Sequence, residues 1–192
     1  MKKKQKPAKG TYGYLNSIKK NALAHTLLMV AIGLLVFVIG LLLNKMEATN
    51  IFTVIAFLFV LPAAKSFVTV VVLLPFKQMD ARKKEKLDRY KKGSDEILYD
   101  LVFTSSERVM HLDCVYITGS QIIGYTERNK DNVKKIEEYL KKELEIRQLT
   151  HHVFLTTNEK QLESRMVLRT GQEQWEKEAM EPVKEMLLLF TI

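Results

Sequence analysis

Two long apolar runs near the start of the chain restrict its fold more than any other feature. Thr26 to Leu43 is 18 residues without a charge, and Ile51 to Phe76 is 26 residues whose only charge is Lys65. About 18 or more apolar residues are enough to cross the roughly 30 Å hydrocarbon core as a helix. A helix also satisfies its own backbone hydrogen bonds where water is absent. The runs predict a membrane protein with a two-helix transmembrane hairpin over 23–76, its spans at about 23–43 and 51–76. The connecting NKMEATN is short, so the helices are antiparallel neighbours. Gly33 and Gly40 fall near one face of the first helix and allow close approach, with Ala63 and Ala64 expected opposite. Pro62 predicts a kink or break in the second.

Charge is segregated around these runs. Residues 1–25 carry seven lysines and no acid, residues 77–92 carry eight basic side chains against three acids, and the loop 44–50 is neutral. Basic residues beside a span are retained in the cytoplasm. Both termini are therefore expected there, in a bacterial plasma membrane. The mean hydropathy of −0.07 averages an apolar third with a polar remainder. The net charge of +8 is concentrated around the spans, while residues 93–192 are acidic on balance. That placement suits anionic lipid headgroups, with Arg82, Lys83, Lys84 and Lys86 as the contacts. It argues against a broad phosphate-binding face, so no nucleic acid is expected. The first run exceeds a signal-peptide core and no small-x-small site follows it, which favours an uncleaved anchor. The one cysteine, Cys114, excludes an internal disulfide.

Residues 1–22 read as a basic cytoplasmic arm, flexible over its first 20 residues, with Tyr12 and Tyr14 at headgroup level. Residues 77–93 read as a basic juxtamembrane linker helix ending at Gly93. Residues 94–192 read as a cytoplasmic α/β (α+β) domain of order α-β-β-α-β-α-α. Its first helix, capped by Ser94 and ended by Thr104, Ser105 and Ser106, rests on the spacing of Ile97, Leu98, Leu101 and Val102. Val109 to Ile117 and Gln121 to Thr126 form a hairpin through a two-residue type II′ turn at Gly119-Ser120. Asp131 to Leu149 is an amphipathic helix, with Val133, Ile136, Leu140 and Leu144 on one face. His151 to Thr157 is a third strand, and Leu162 to Leu168 leans helical. Gln172 to Phe190 is a helix interrupted at Pro182, with Trp175, Ala179, Val183, Met186 and Leu187 docking on the sheet.

Few constellations carry chemistry. An ammonium near the bilayer centre is costly, and no acid lies in either run to pair with Lys65. Lys65 therefore meets another chain or a lipid, or snorkels to the headgroups. Two helices cannot enclose a transport path, so a channel would need an oligomer. His111, Asp113, His151 and His152 fall short of a zinc set, which needs three or four convergent ligands. Glycine-rich phosphate loops are absent. Cys114 alternates with apolar residues and reads as core.

The stretch HLDCVYITGSQIIGYTERNK, followed by a helix and HHVFLTT, resembles the core of restriction-endonuclease-like folds, particularly the nuclease-related domain of some bacterial proteins. That resemblance implies an Asp on one hairpin strand and Glu-x-Lys on the next, the carboxylates holding a divalent metal and the lysine assisting water. Asp113 and Glu127 would take the carboxylate positions. The lysine position is Asn129, with Lys130 one residue late, which implies an inactive, binding version. The expected function is a membrane-tethered interaction or regulatory module, without a cofactor, meeting a membrane-protein partner or a second copy of itself. The alternatives are a degenerate or active metal-dependent hydrolase on an anchor, and an accessory subunit of a larger membrane complex contacted through Lys65.

Overall fold

The computed structural model describes residues 6–91, 95–104, 109–127, 133–168 and 177–192. Ser94, Ser105, Ser106, Asn129, Lys130 and Trp175, each given a role above, lie outside them. The chain divides into two compact units. One is Asn16–Phe76, and the other comprises the described residues of Met1–Leu15 and Lys77–Ile192.

The first unit is the apolar hairpin. Helix α1 spans Tyr14–Leu43, starting earlier than Leu23 because nothing from Leu15 to Ala22 breaks a helix. Asn50 caps α2 (Ile51–Leu58), its side chain accepting from Thr53 N at 3.1 Å. Helix α3 covers Val60–Leu73, and Phe59 separates the two. The break lies where Pro62 denies the Leu58 carbonyl its donor. Close approach occurs at the predicted glycines. A Cβ on Gly33 would meet Phe59 Cβ at 3.2 Å, and one on Gly40 would meet Phe52 Cβ at 2.4 Å. The opposing residues are thus Phe52, Ala56 and Phe59 rather than Ala63 and Ala64. Beside them lies an apolar groove of about 590 Å³, lined by both helices and including Ala63 and Ala64.

The second unit is a four-stranded mixed sheet in the order β1-β2-β3-β4. β1 (Glu96–Thr104), β2 (Val109–Ile117) and β3 (Gln121–Tyr125) are antiparallel neighbours. β4 (His152–Thr156) runs parallel to β3 after a crossover through α5 (Val133–Ile146). The expected hairpin, crossover helix and third strand are all present. Gly119 does not take the positive φ of a II′ turn. The Thr118 hydroxyl closes that turn instead, accepting from Gln121 N at 3.0 Å.

The helix expected over Ile97 to Val102 is strand β1, so the order is β-β-β-α-β-α-α after the linker helix. Asp100 explains the misleading spacing. Its φ of +52° flips the strand, so that Leu98 and Leu101 face one core while Ile97 and Tyr99 face the other. β2 exchanges faces at the same level, with Leu112 on one side and Cys114 on the other. Apolar residues at i and i+3 arise here from a flipped strand, not a helical face.

Both faces of the sheet are covered. α5 and α7 (Lys177–Phe190) bury Ile136, Leu140, Leu144, Val183, Met186 and Leu187 on one side. α7 runs through Pro182 without interruption. α4 (Ala81–Asp88) and α6 (Glu159–Leu168) bury Leu87, Leu162 and Met166 on the other. Helix α4 is shorter than the expected 77–93 because Asp80 caps it, accepting from Arg82 N at 2.8 Å. Residues 7–12 are not a free arm. Gly10 O accepts from Tyr99 N at 2.8 Å, and Lys9 Nζ donates to Thr191 O at 2.7 Å. Ile192 N donates to Val102 O at 3.0 Å, so Gly10 and Ile192 both lie along the outer edge of β1.

Candidate functional site

Asp113 and Glu127 do come together, but not as two open carboxylates. Asp113 sits mid-strand on β2 and is buried. Its Oδ2 accepts from the backbone N–H of Glu127 at 2.7 Å, tying down the end of β3. Asp100, level with it on β1, is also buried and accepts from Met79 N at 2.7 Å. A carboxylate inside a sheet is retained when it satisfies such backbone donors. The Glu127 carboxylate turns outward to Lys83 Nζ at 2.9 Å, and Lys83 also reaches Glu159 at 3.8 Å. The Glu127 hydrogen bond raises the Lys83 pKa against the opposing effect of burial. This ammonium comes from α4, and the Asn129 and Lys130 positions lie outside the described residues.

Among the described residues, no three His, Cys, Asp or Glu side chains form a group that could hold a metal ion. The histidines are dispersed. His111 pairs with Val102 across β1/β2, whereas His152 pairs with Gln121, at the end of β3 remote from Glu127. Burial, then the charge of His152, lowers the His151 pKa. Cys114 is buried as expected, and burial together with Asp113 and Asp100 pushes its thiol well above the usual range. That is the opposite of an activated nucleophile.

The basic cluster of α4 is largely engaged by the sheet unit's own acids. Besides Lys83, Lys84 pairs with Asp88 at 2.5 Å, and Lys86 pairs with Glu163 and with Glu159 at 3.6 Å. Lys84 also lies over the rings of Tyr12 and Tyr99, at 5.8 and 6.0 Å. Arg82 is exposed. Tyr12 is edge-on to Tyr99 and donates to Met79 O at 3.1 Å, rather than standing free at the chain's start. The functional expectation missed this junction of Gly10, Tyr12, Met79, Tyr99 and Asp100. A lone Asp in the apolar run LYDLVF was its visible signal.

In the hairpin unit Lys65 is exposed on α3. Its neighbour Ser66 bonds the His25 ring of α1, Nδ1 to Oγ, at 2.8 Å. Lys65 is therefore level with the residue that precedes the uncharged run of α1. Comparison with protein-family models, curated proteins and solved structures finds no match to the chain.

Proposed function

We propose that this is an integral membrane protein whose hairpin tethers an α/β interaction or regulatory module on the cytoplasmic side of the plasma membrane. The observation carrying this reading is the outward surface of α1, α2 and α3. Leu27, Leu34, Leu42, Phe57, Leu61 and Val68 are each more than half exposed, which water would not tolerate over such an area. The apolar windows of the two candidate spans are only 11 and 6 % buried, unlike core helices. The neutral 44–50 loop between basic flanks supports cytoplasmic termini. Tethering raises the module's effective concentration for membrane partners.

Lys65 fits an interfacial role better than one at the bilayer centre. Thr26 to Leu43 extends about 27 Å at helical rise, close to the hydrocarbon thickness. The His25–Ser66 bond supports this, since Lys65 is then level with the N-terminal end of that run. There its four-carbon stem carries the ammonium to the headgroups, with no need of an acidic partner chain. An accessory subunit held through Lys65 is correspondingly less favoured. Among the α4 cations, Arg82 is best placed for lipid, since Lys83, Lys84 and Lys86 already have carboxylates. A hydrolase using Asp113, Glu127 and a divalent metal is a weaker second reading. Lys83 supplies the ammonium missing at Asn129, but it also occupies the Glu127 carboxylate.

Cysteine labelling tests the topology, because buried Cys114 leaves a silent background. Glu47→Cys should react with an impermeant maleimide on intact cells, and Lys142→Cys only after permeabilisation. Release of the chain by alkaline carbonate, or labelling of Lys142→Cys on intact cells, would overturn the reading.

A further inference from the structure

We propose that the concavity between β4 and the first turns of α6 binds a phosphomonoester, gripped by Arg165 and Lys160. It is a pocket of about 380 Å³ lined by Phe154, Lys160, Gln161, Ser164 and Arg165. That volume is on the scale of small-molecule sites, about 300–1,000 Å³. The Arg165 guanidinium lies over the Phe154 ring, 3.5 Å from its centroid. Stacking consumes none of its N–H donors and fixes their plane, which prepares a bidentate grip on phosphate oxygens. Gln161 Oε1 accepts from the hydroxyl of buried Thr156 at 2.8 Å. The Gln161 amide N–H donors are thereby left for a ligand. Ser164 donates its proton to Lys160 O at 2.7 Å and offers no donor.

Charge on α6 is divided between its faces. Glu159 and Glu163 turn to the lysines of α4. No described carboxylate is paired with Lys160 or Arg165, so among the described residues the two cations of the pocket are uncompensated. The mixture of donors decides the ligand class. A carboxylate would be satisfied by the guanidinium fork alone. A planar fork, a mobile ammonium and an amide lining one pocket suit the several oxygens of a phosphate.

A phosphomonoester is presented by a soluble metabolite or by phosphatidic acid, and one experiment separates the two. The full-length chain is labelled with ¹⁵N-arginine and placed in phosphatidylcholine nanodiscs. The Arg165 Nε–H signal, assigned by its absence in Arg165→Lys, is followed during titration with glycerol 3-phosphate. A second series replaces part of the phosphatidylcholine by phosphatidic acid. The expected result is a saturable shift in at least one series, weakened about tenfold by Lys160→Ala through loss of a charge-assisted hydrogen bond. A shift only with glycerol 3-phosphate assigns a soluble ligand, and one only with phosphatidic acid assigns the lipid. No shift in either series, an equal shift with acetate at matched ionic strength, or indifference to Lys160→Ala would overturn the proposal. Lys160 and Arg165 are exposed, so neither substitution removes core packing.

Discussion

Leu34 of α1 is 62 % exposed while Leu112 of β2 is fully buried, although each lies inside an apolar stretch. The difference extends across their units. The hairpin turns its large side chains outward and brings its helices together at Gly33 and Gly40. The sheet unit turns apolar residues of β1 and β2 into cores on both faces and leaves ion pairs between α4 and α6 at its surface. An apolar sequence therefore has two outcomes, and the lipid surroundings proposed for the hairpin would account for the difference. In lipid, apolar exposure is no penalty and association rests on close packing of small residues. In water, burial is the main driving term.

Truncating the two leucines should give the largest divergence. Leu112→Ala removes a fully enclosed side chain and should destabilise the sheet unit by about 2–5 kcal/mol. Leu34→Ala leaves no cavity and should stay within roughly 0.5 kcal/mol. Thermal denaturation of both variants in one detergent measures the pair, and equal losses would abolish the contrast.

A smaller divergence is expected at two glycines. At Gly40 a new methyl would stand 2.4 Å from Phe52 Cβ, an atom fixed to the backbone, so Gly40→Ala must push the helices apart. At Gly124 the new methyl would meet Leu155 Cδ2, also at 2.4 Å, the end of a side chain that can rotate. Gly124→Ala should cost at most about 1 kcal/mol, overpacking being offset by the lower entropy of Ala in a strand. Cross-linking between cysteines placed on α1 and α2 should slow in Gly40→Ala. An unchanged rate would mean that the two units accommodate a methyl alike.

The hairpin was legible because its signals are local: run length, Gly33 and Gly40, and Pro62 four residues after the carbonyl it deprives. The β2–β3 pair, α5 and β4 were legible from equally local signals: β-formers flanking the Gly119-Ser120 turn, and a single amphipathic face on α5. β1 was not. Buried on both faces, it lacks a polar alternation, and the flip at Asp100 places Leu98 and Leu101 on one side at helical spacing. The junction at Asp100 was signalled only by that lone Asp, because its other members, Gly10, Tyr12 and Met79, are distant in sequence. Hydropathy likewise ended the arm near residue 22, since it cannot register that Gly10 and Lys9 bond the sheet's edge and the chain's other end. For the candidate sites, Asp113 and Glu127 could be placed side by side from the hairpin. That Lys83 would occupy Glu127, or that Phe154 would hold Arg165 flat, required α4 and α6 in place.

Acid titration sharpens the comparison with the smallest effect. The apolar runs contain no Asp or Glu, so carboxylate-linked acid sensitivity must originate outside them. Asp88 of α4 is one source. Burial pushes its pKa up, but hydrogen bonds from Lys84 and Tyr99 together outweigh burial and hold it below the ordinary carboxylate range. A folded-state pKa below the unfolded value of about 3.9 gives stabilisation that is complete above that value and lost as pH falls through the folded one. The side chain is 38 % exposed, so the contribution should be under about 1 kcal/mol. Asp88→Asn should therefore lower the melting temperature of the sheet unit slightly at pH 7. The difference from the parent chain should shrink as pH drops below about 4. A difference that persists undiminished into acid would mean that Asp88 acts through its shape as a hydrogen-bond acceptor, not through its charge.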